Sequence, residues 1–326
     1  MLYPLKFQPI LKQRIWGGDK LKTIFNKTSE YDGNLGESWE LSGIDGDESV
    51  VVNGELAGNT INELLEVYMD DLVGSKVFEK YQFTFPLLFK LIDANGDLSI
   101  QVHPNDEIAM KEHNCLGKTE MWYVIDAEEG AELTVGFLDK IDKQDYVQHL
   151  QNGTLETILR KEKVHAGDVF FIPAGLVHAI GKGVLLAEIQ QASDITYRLY
   201  DYNRVDAEGK YRQLHTEQGL AAINFDEKIN AKINYQNKVN EPVLLVECDY
   251  FNVNKISFNK TITRDFSDLD SFVVYMCISG SFEIIYNGGE KELIHKGESI
   301  LIPGEINELK LVPKKELVEI LAVSAK

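Results

Sequence analysis

The stretch Gly167-Asp168-Val169-Phe170-Phe171-Ile172-Pro173-Ala174-Gly175-Leu176-Val177-His178 has the pattern Gly, five residues, Pro, any residue, Gly, two residues, His. An apolar strand, Val169 to Ile172, runs into a Pro/Gly turn, and a histidine stands just beyond it. That order aims an imidazole into the mouth of a small β-barrel, where ligands from neighbouring strands can meet on one metal ion. Upstream, Ser99-Ile100-Gln101-Val102-His103-Pro104-Asn105-Asp106 sets Gln101 and His103 two apart, hence on one face of a strand. In Gly117-Lys118-Thr119-Glu120-Met121-Trp122, Glu120 opens the next apolar run. Two histidines, one carboxylate and one amide oxygen make a Zn²⁺ shell with room left for water or substrate. A polar pair on a strand is commonly just a satisfied core network. The turn that follows Pro104 and the separate His178 motif weigh towards the metal.

Such a shell keeps a net positive charge, suited to a Lewis acid that polarises a carbonyl or a hydroxyl pair. Its nitrogen and oxygen donors also suit Mn²⁺, Fe²⁺ or Co²⁺. Lys118 is two before Glu120 and projects to the same side, either as a solvated loop lysine or as a phosphate- or hydroxyl-binding group. Glu188, flanked by Leu185, Leu186, Ala187 and Ile189, is a carboxylate on an apolar strand; burial there raises its pKa and makes it a candidate base. Arg198 and Arg204 supply fixed positive charge for an enediolate or a phosphate. Ion pairing among Glu188, Arg198 and Asp201 is the plainer alternative. His113, His149, His165, His215 and His295 have no comparable spacing and read as surface or hydrogen-bonding residues.

Around these motifs the apolar segments are short and β-like: Ser49 to Val52, Phe85 to Ile92, Leu98 to His103, Met121 to Ile125, Glu132 to Phe137 and Val184 to Gln191. Helices are expected at Thr60 to Met69, which opens with a capping-box pattern, at Asp145 to Leu150, at Leu155 to Leu159 and at His215 to Ala222. A polar linker is expected over 226–242. Beyond it strands resume, with a hairpin signal at Tyr286-Asn287-Gly288-Gly289. Gly297-Glu298-Ser299-Ile300-Leu301-Ile302-Pro303 repeats the Gly, five residues, Pro spacing, but Glu308 stands where the first copy has His178. The tail therefore reads as a second barrel without a metal site.

A chain of 326 residues with 44% hydrophobic content suits two domains with substantial cores. Net charge is 33 − 52 = −19, which argues against a nucleic-acid partner and requires a local basic pocket for any phosphorylated ligand. Three cysteines without a CxxC argue against a disulfide framework and a thiolate metal site. The N-terminus lacks an apolar core of signal-peptide length and no run approaches a membrane span, so a cytoplasmic protein without a membrane partner is expected.

Together these residues resemble the type I mannose-6-phosphate isomerases of the short bacterial kind, within the cupin superfamily. The matching features are Trp16-Gly17-Gly18, Gly36-Glu37-Ser38-Trp39-Glu40, Pro86-Leu87-Leu88-Phe89-Lys90, Ser99 to Pro104, Lys118-Thr119-Glu120, the His178 motif, and Ser193-Asp194 leading into Arg198. The resemblance implies a mainly β fold of two cupin-type (jelly-roll) barrels, with short helical segments inserted in the first. It implies a catalytic metal-binding domain at 1–235 and a cupin-like domain lacking metal ligands at 236–326. One Zn²⁺ per chain would be held by Gln101, His103, Glu120 and His178. Arg198, Glu188 and Lys118 would be catalytic; Ser99, Lys118, Arg204 and Trp16 would bind substrate. Longer members carry a large helical domain that is reduced here to short segments, and Arg204 stands where they usually have Lys.

The implied reaction interconverts mannose 6-phosphate and fructose 6-phosphate through a cis-enediolate, with a sugar phosphate as the only partner and monomer and homodimer both open. A non-catalytic sugar-binding or regulatory metal cupin is the alternative, disfavoured because a pure binding module needs no base beside its metal. An iron cupin dioxygenase is disfavoured because Gln101 replaces an imidazole.

Overall fold

The strand Leu87–Ala94 is buried at all eight positions, and its alternate side chains divide between two cores. Leu87, Phe89 and Leu91 pack with Met121, Tyr123, Leu185, Ala187 and Ile189; Ile92 and Ala94 pack on the other side with Trp122, Val124, Val184 and Leu186. A strand covered on both faces needs apolar residues at both parities, which is why these segments read as unbroken apolar runs. They belong to a seven-stranded sheet in the order 232–233, 169–172, 120–127, 184–191, 87–94, 35–41, 10–18. The computed structural model describes residues 1–28, 33–205, 209–226, 229–314 and 317–326.

Four sheets stack in layers. The seven-stranded sheet faces a five-stranded one (159–163, 132–137, 178–180, 100–102, 197–200) across the core that holds Trp122, Leu133, Val135, Phe170 and Ile180. Its other face meets a six-stranded sheet (5–6, 299–302, 273–279, 318–325, 251–258, 242–247) through the core of Phe89, Met121, Phe251, Val253, Val274 and Leu321. A four-stranded sheet (262–265, 308–313, 281–286, 290–295) closes the far side over Phe258, Tyr275, Phe282 and Ile320. The protein is thus mainly β. Leu5 pairs with Leu301, so the start of the chain is sewn into the sheet of the C-terminal half.

The helix Ile61–Val73 has the expected capping box, with Thr60 accepting from the Glu63 backbone and Glu63 returning the bond. Lys143–Gln151 starts on Asp142 in the same way, while Leu155–Ile158 is a single 3₁₀ turn that releases Leu159 into a strand. Thr216–Ala222 is helical. Pro104-Asn105-Asp106, expected only as a turn, is the entrance of the helix Asp106–His113, with Asn105 accepting from the Ile108 amide. Ser49 to Val52 does not extend into a strand: Val50 and Val51 make single antiparallel bridges to Thr60 and Phe7. Within the expected linker, Lys232–Ile233 pairs with the edge strand Val169–Ile172, while 227–228 lie outside the described residues. The hairpin at 286–289 forms, with Asn287 and Gly288 both at positive φ.

Candidate metal centre and its cavity

His178 opens the strand His178–Ile180 and pairs directly with Gln101, while Glu120 opens the strand Glu120–Ala127 on the facing sheet and pairs with Ile172. The Pro/Gly turn ties these parts together. Gly175 has φ +86, and its N–H donates to the His103 carbonyl at 2.9 Å, so the turn before His178 clamps the backbone of His103.

Both imidazoles have their protons assigned by their partners. His103 Nδ1 lies 2.9 Å from the Ile195 carbonyl and His178 Nδ1 lies 2.8 Å from the Leu176 carbonyl. A carbonyl only accepts, so Nδ1 carries the proton in each ring and Nε2 presents a lone pair. Burial, reinforced by the Lys118 charge, depresses His103 to about 3 and lowers His178 as well, which keeps both rings neutral.

These lone pairs face one another. The two Nε2 atoms are 3.2 Å apart, Glu120 Oε1 is 3.2 Å from His103 Nε2, and Oε2 is 3.8 Å from His178 Nε2. Lys118 Nζ is 2.9 Å from Glu120 Oε1, yet neither carboxylate oxygen receives a hydrogen bond of good angular geometry. Apart from the Lys118 ammonium and the Gln101 amide, nothing among the described residues serves these converging acceptors, and a cation among them would relieve their repulsion. Two nitrogens bound tetrahedrally to Zn²⁺ at roughly 2.0–2.1 Å would lie about 3.3 Å apart, so the spacing fits the ion. Gln101 Nε2 is 3.2 Å from His178 Nε2; turning the amide over presents Oε1 instead. Among the described residues His103, Glu120 and His178 are the group whose ligand atoms gather within 4.8 Å.

A cavity of about 500 Å³ opens over this centre, with Gln101 and Lys118 in its wall. Its lining carries the cations Lys12, Arg14, Lys90, Lys118, Arg198 and Arg212 against the carboxylates Glu37, Asp47, Glu188 and Asp194. Most of these cations are ion-paired, Lys12 with Asp47, Arg14 with Glu37, Lys90 with Glu188 and Arg212 with Asp201. Ser99 and Trp16, both buried, also line the cavity.

Glu188 lies in the wall, held from two sides: Oε1 is 3.0 Å from Lys90 Nζ, and Oε2 accepts from Trp122 Nε1 at 2.9 Å. Burial and the nearby Glu120 charge raise its pKa, while Lys90 and Lys118 pull it down. Lys118 is buried too; burial works against its ammonium, but Glu120 and Glu188 outweigh that and hold its pKa above the ordinary lysine value. Arg198 is half-buried, donates from Nη1 to the Gln213 carbonyl at 2.9 Å, and has a buried Nε without a partner.

Arg204 does not reach the lining. Its guanidinium is committed to the Asp97 carbonyl and to Asp201, 2.5 Å from Nη2. Arg212 stands in the wall instead, with Nε donating to Asp201 Oδ2 at 2.6 Å. Asp201 therefore pairs with Arg204 and Arg212, and Glu188 with Lys90, rather than Glu188, Arg198 and Asp201 with one another. Three contributors had no role assigned from sequence. Lys90 was visible as the lone charge in an apolar run; Glu37, whose carboxylate takes bonds from Arg14 and Trp39, lay inside a quoted motif; Arg212 had no sequence signal at all. His113, His149 and His215 bond to Tyr197, Thr154 and the Arg198 amide, and His165 and His295 are exposed. In the second half Glu308 is exposed and pairs with Asp265.

Comparison with known proteins places the chain in a family. A family profile described as phosphomannose isomerase type I, catalytic domain, matches residues 4–140, and one described as mannose-6-phosphate isomerase, cupin domain, matches 243–321. A mannose-6-phosphate isomerase of Bacillus subtilis is 39% identical over 312 residues, covering 94% of this chain and 95% of its own. One from Streptococcus mutans is 35% identical over 307 residues, covering 94% of each. The crystal structure of the Bacillus subtilis mannose 6-phosphate isomerase superposes with a TM-score of 0.88 at 31% identity, over 99% of both chains. The chain belongs to the type I phosphomannose isomerase family.

Proposed function

We propose that this family member is a metal-dependent aldose–ketose isomerase that interconverts mannose 6-phosphate and fructose 6-phosphate. The observation that carries the reading is the meeting of two neutral imidazole lone pairs and an unsatisfied carboxylate beneath a cavity ringed by cations. His103, Glu120 and His178, with the Gln101 amide turned, would hold a divalent ion, which we take as Zn²⁺. Bound there, it would supply a Lewis acid for the sugar's carbonyl and hydroxyl oxygens.

The chain's own groups do the rest. Glu188 takes the proton from one carbon and returns it to the other; Lys90 and Trp122 fix its two oxygens and so set its aim. Arg198, with its unused Nε–H, faces the negative charge that develops on the enediolate oxygens. Lys118 is locked to Glu120 and adds positive field at the same end. Arg212 replaces Arg204 as the arginine that can reach the phosphate, and Ser99 and Trp16 shape the wall. Such remote contacts lower the barrier by holding the reacting carbons in place.

The fold we infer is two cupin-type barrels, one from each pair of facing sheets, with residues 1–235 as the catalytic unit and 236–326 as the second. The repeated Gly, five residues, Pro strand in each pair supports it. A coupled assay of fructose 6-phosphate formation, run with and without chelator, tests the reading. No turnover by the metal-replete protein refutes it.

A further inference from the structure

The strands around a cavity in the C-terminal half repeat the pairing of those around the first, with the charges taken out. In the first, Ile172 pairs with Glu120, Glu120 with Gln190, and Gln190 with Leu88. In the second, Ile302 pairs with Val273, Val273 with Ser324, and Ser324 with Asn252. Two residues along, the pair Glu188 and Lys90 becomes Ala322 and Asn254. The site was therefore not filled with apolar side chains. Asn252, Asn254 and Ser324 line a cavity of about 280 Å³, together with Arg264 from the facing sheet. Arg264 pairs with Leu309, whose side chain lies in the core between the two sheets, so the arginine shares that inward face.

This cavity holds polar atoms that the protein leaves unserved. Asn252 Oδ1 and Arg264 Nε are buried without a hydrogen-bond partner, while the hydroxyl of Tyr275, which occupies the place of Trp122 in the repeat, lies beside the Arg264 guanidinium. Elsewhere among the described residues such atoms are Asn62 Oδ1 and Tyr146 Oη, besides those of Glu120 and Arg198 at the first cavity. A buried polar atom without a partner is destabilising, so two at one cavity call for a ligand that supplies the missing bonds.

The orphans specify the ligand's chemistry. Asn252 Oδ1 needs a donor and Arg264 Nε needs an acceptor; a hydroxyl group is both. Arg264 is the cation among the described lining residues, and Asp265 and Glu247 line the same cavity, so a strongly anionic ligand is disfavoured. Phe266 and Leu269 offer an apolar wall for a C–H face. The volume lies just under the roughly 300–1,000 Å³ usual for drug-sized ligands, which suits a small one. We propose that this cavity is a second binding site, for a neutral polyhydroxyl molecule of monosaccharide size.

Calorimetric titration of the metal-loaded protein with D-mannose tests it. One equivalent of hexose should bind without changing tryptophan emission, since Trp16 and Trp39 line the first cavity and Trp122 bonds to Glu188 there. Asn252→Leu and Arg264→Leu should each weaken binding by about tenfold or more and leave isomerase turnover unchanged. Arg264→Lys keeps the charge but lacks the Nε donor, so it should show the same loss even if the leucine variants fold poorly. Absence of heat, heat accompanied by a tryptophan shift, or wild-type affinity in Arg264→Lys overturns the proposal.

Discussion

Lys90 and Glu188 face each other across paired strands with Nζ 3.0 Å from Oε1, both buried in the wall of the cavity over the candidate metal centre. The lysine is the nearer of two charges that favour a carboxylate at this depth: without it, Lys118 would be left to oppose burial and the Glu120 charge. Lys90→Met should therefore raise the pKa of Glu188 further. A base must be deprotonated to act, so the acid limb of the pH–rate profile should move to higher pH. Stability should fall by about 3–5 kcal/mol, as for other broken buried pairs. An unmoved acid limb in a folded variant would separate Glu188 from the rate.

Glu188→Gln keeps the shape and the Trp122 contact but cannot accept a proton. Turnover should drop roughly 10²-fold or more, with KM changed far less. Near-normal turnover would remove Glu188 from the role of base.

His178→Ala removes one of two convergent nitrogens and should strip the metal, read by elemental analysis of the purified protein. Glu120→Ala should do the same, because the carboxylate is the anionic member of the set. Full occupancy in either variant would count against the ligand assignment.

Arg212 and Arg204 share Asp201 but only Arg212 lines the cavity. Arg212→Ala should raise KM for the sugar phosphate by about 10- to 100-fold, the loss of one charge-assisted contact, while Arg204→Ala should have a smaller effect. Steady-state kinetics decide between them; the reverse ranking would restore Arg204.

His103 titrates near 3 in the folded metal-free protein, against about 6.5 in an unfolded chain. As pH falls below about 6.5, the unfolded state takes up the proton first and the folded state resists it. Metal-free protein should thus lose stability as pH drops from about 6.5 towards 3, and this contribution should be flat above that window. Urea melts across pH, compared with those of His103→Gln, measure the difference.

The chemistry-bearing side chains were largely legible because they sit at strand ends beside turns, where spacing in sequence maps onto direction in space. Gln101 and His103 share a strand face by parity alone, and Pro173 and Gly175 announce the turn that delivers His178. Glu188 was legible as a charge in an apolar run. Lys90 carried the same signal, but its partner lies 98 residues away, and nothing local says which buried charges will meet. Ser49 to Val52 has strand-like residues but makes only single antiparallel bridges to its neighbours, and a strand is a property of a sustained pair.

Alternation and turn chemistry determined on their own that this is a mainly β protein, and motif spacing pointed to His103, Glu120 and His178, since each is a local consequence of backbone geometry. The tertiary structure alone decided which arginine faces the cavity, which lysine pins Glu188, and that the C-terminal half keeps a polar hollow. Those outcomes turn on the register and packing of strands far apart in the chain. A one-residue slip in register reverses every side chain, and no short stretch of sequence encodes it.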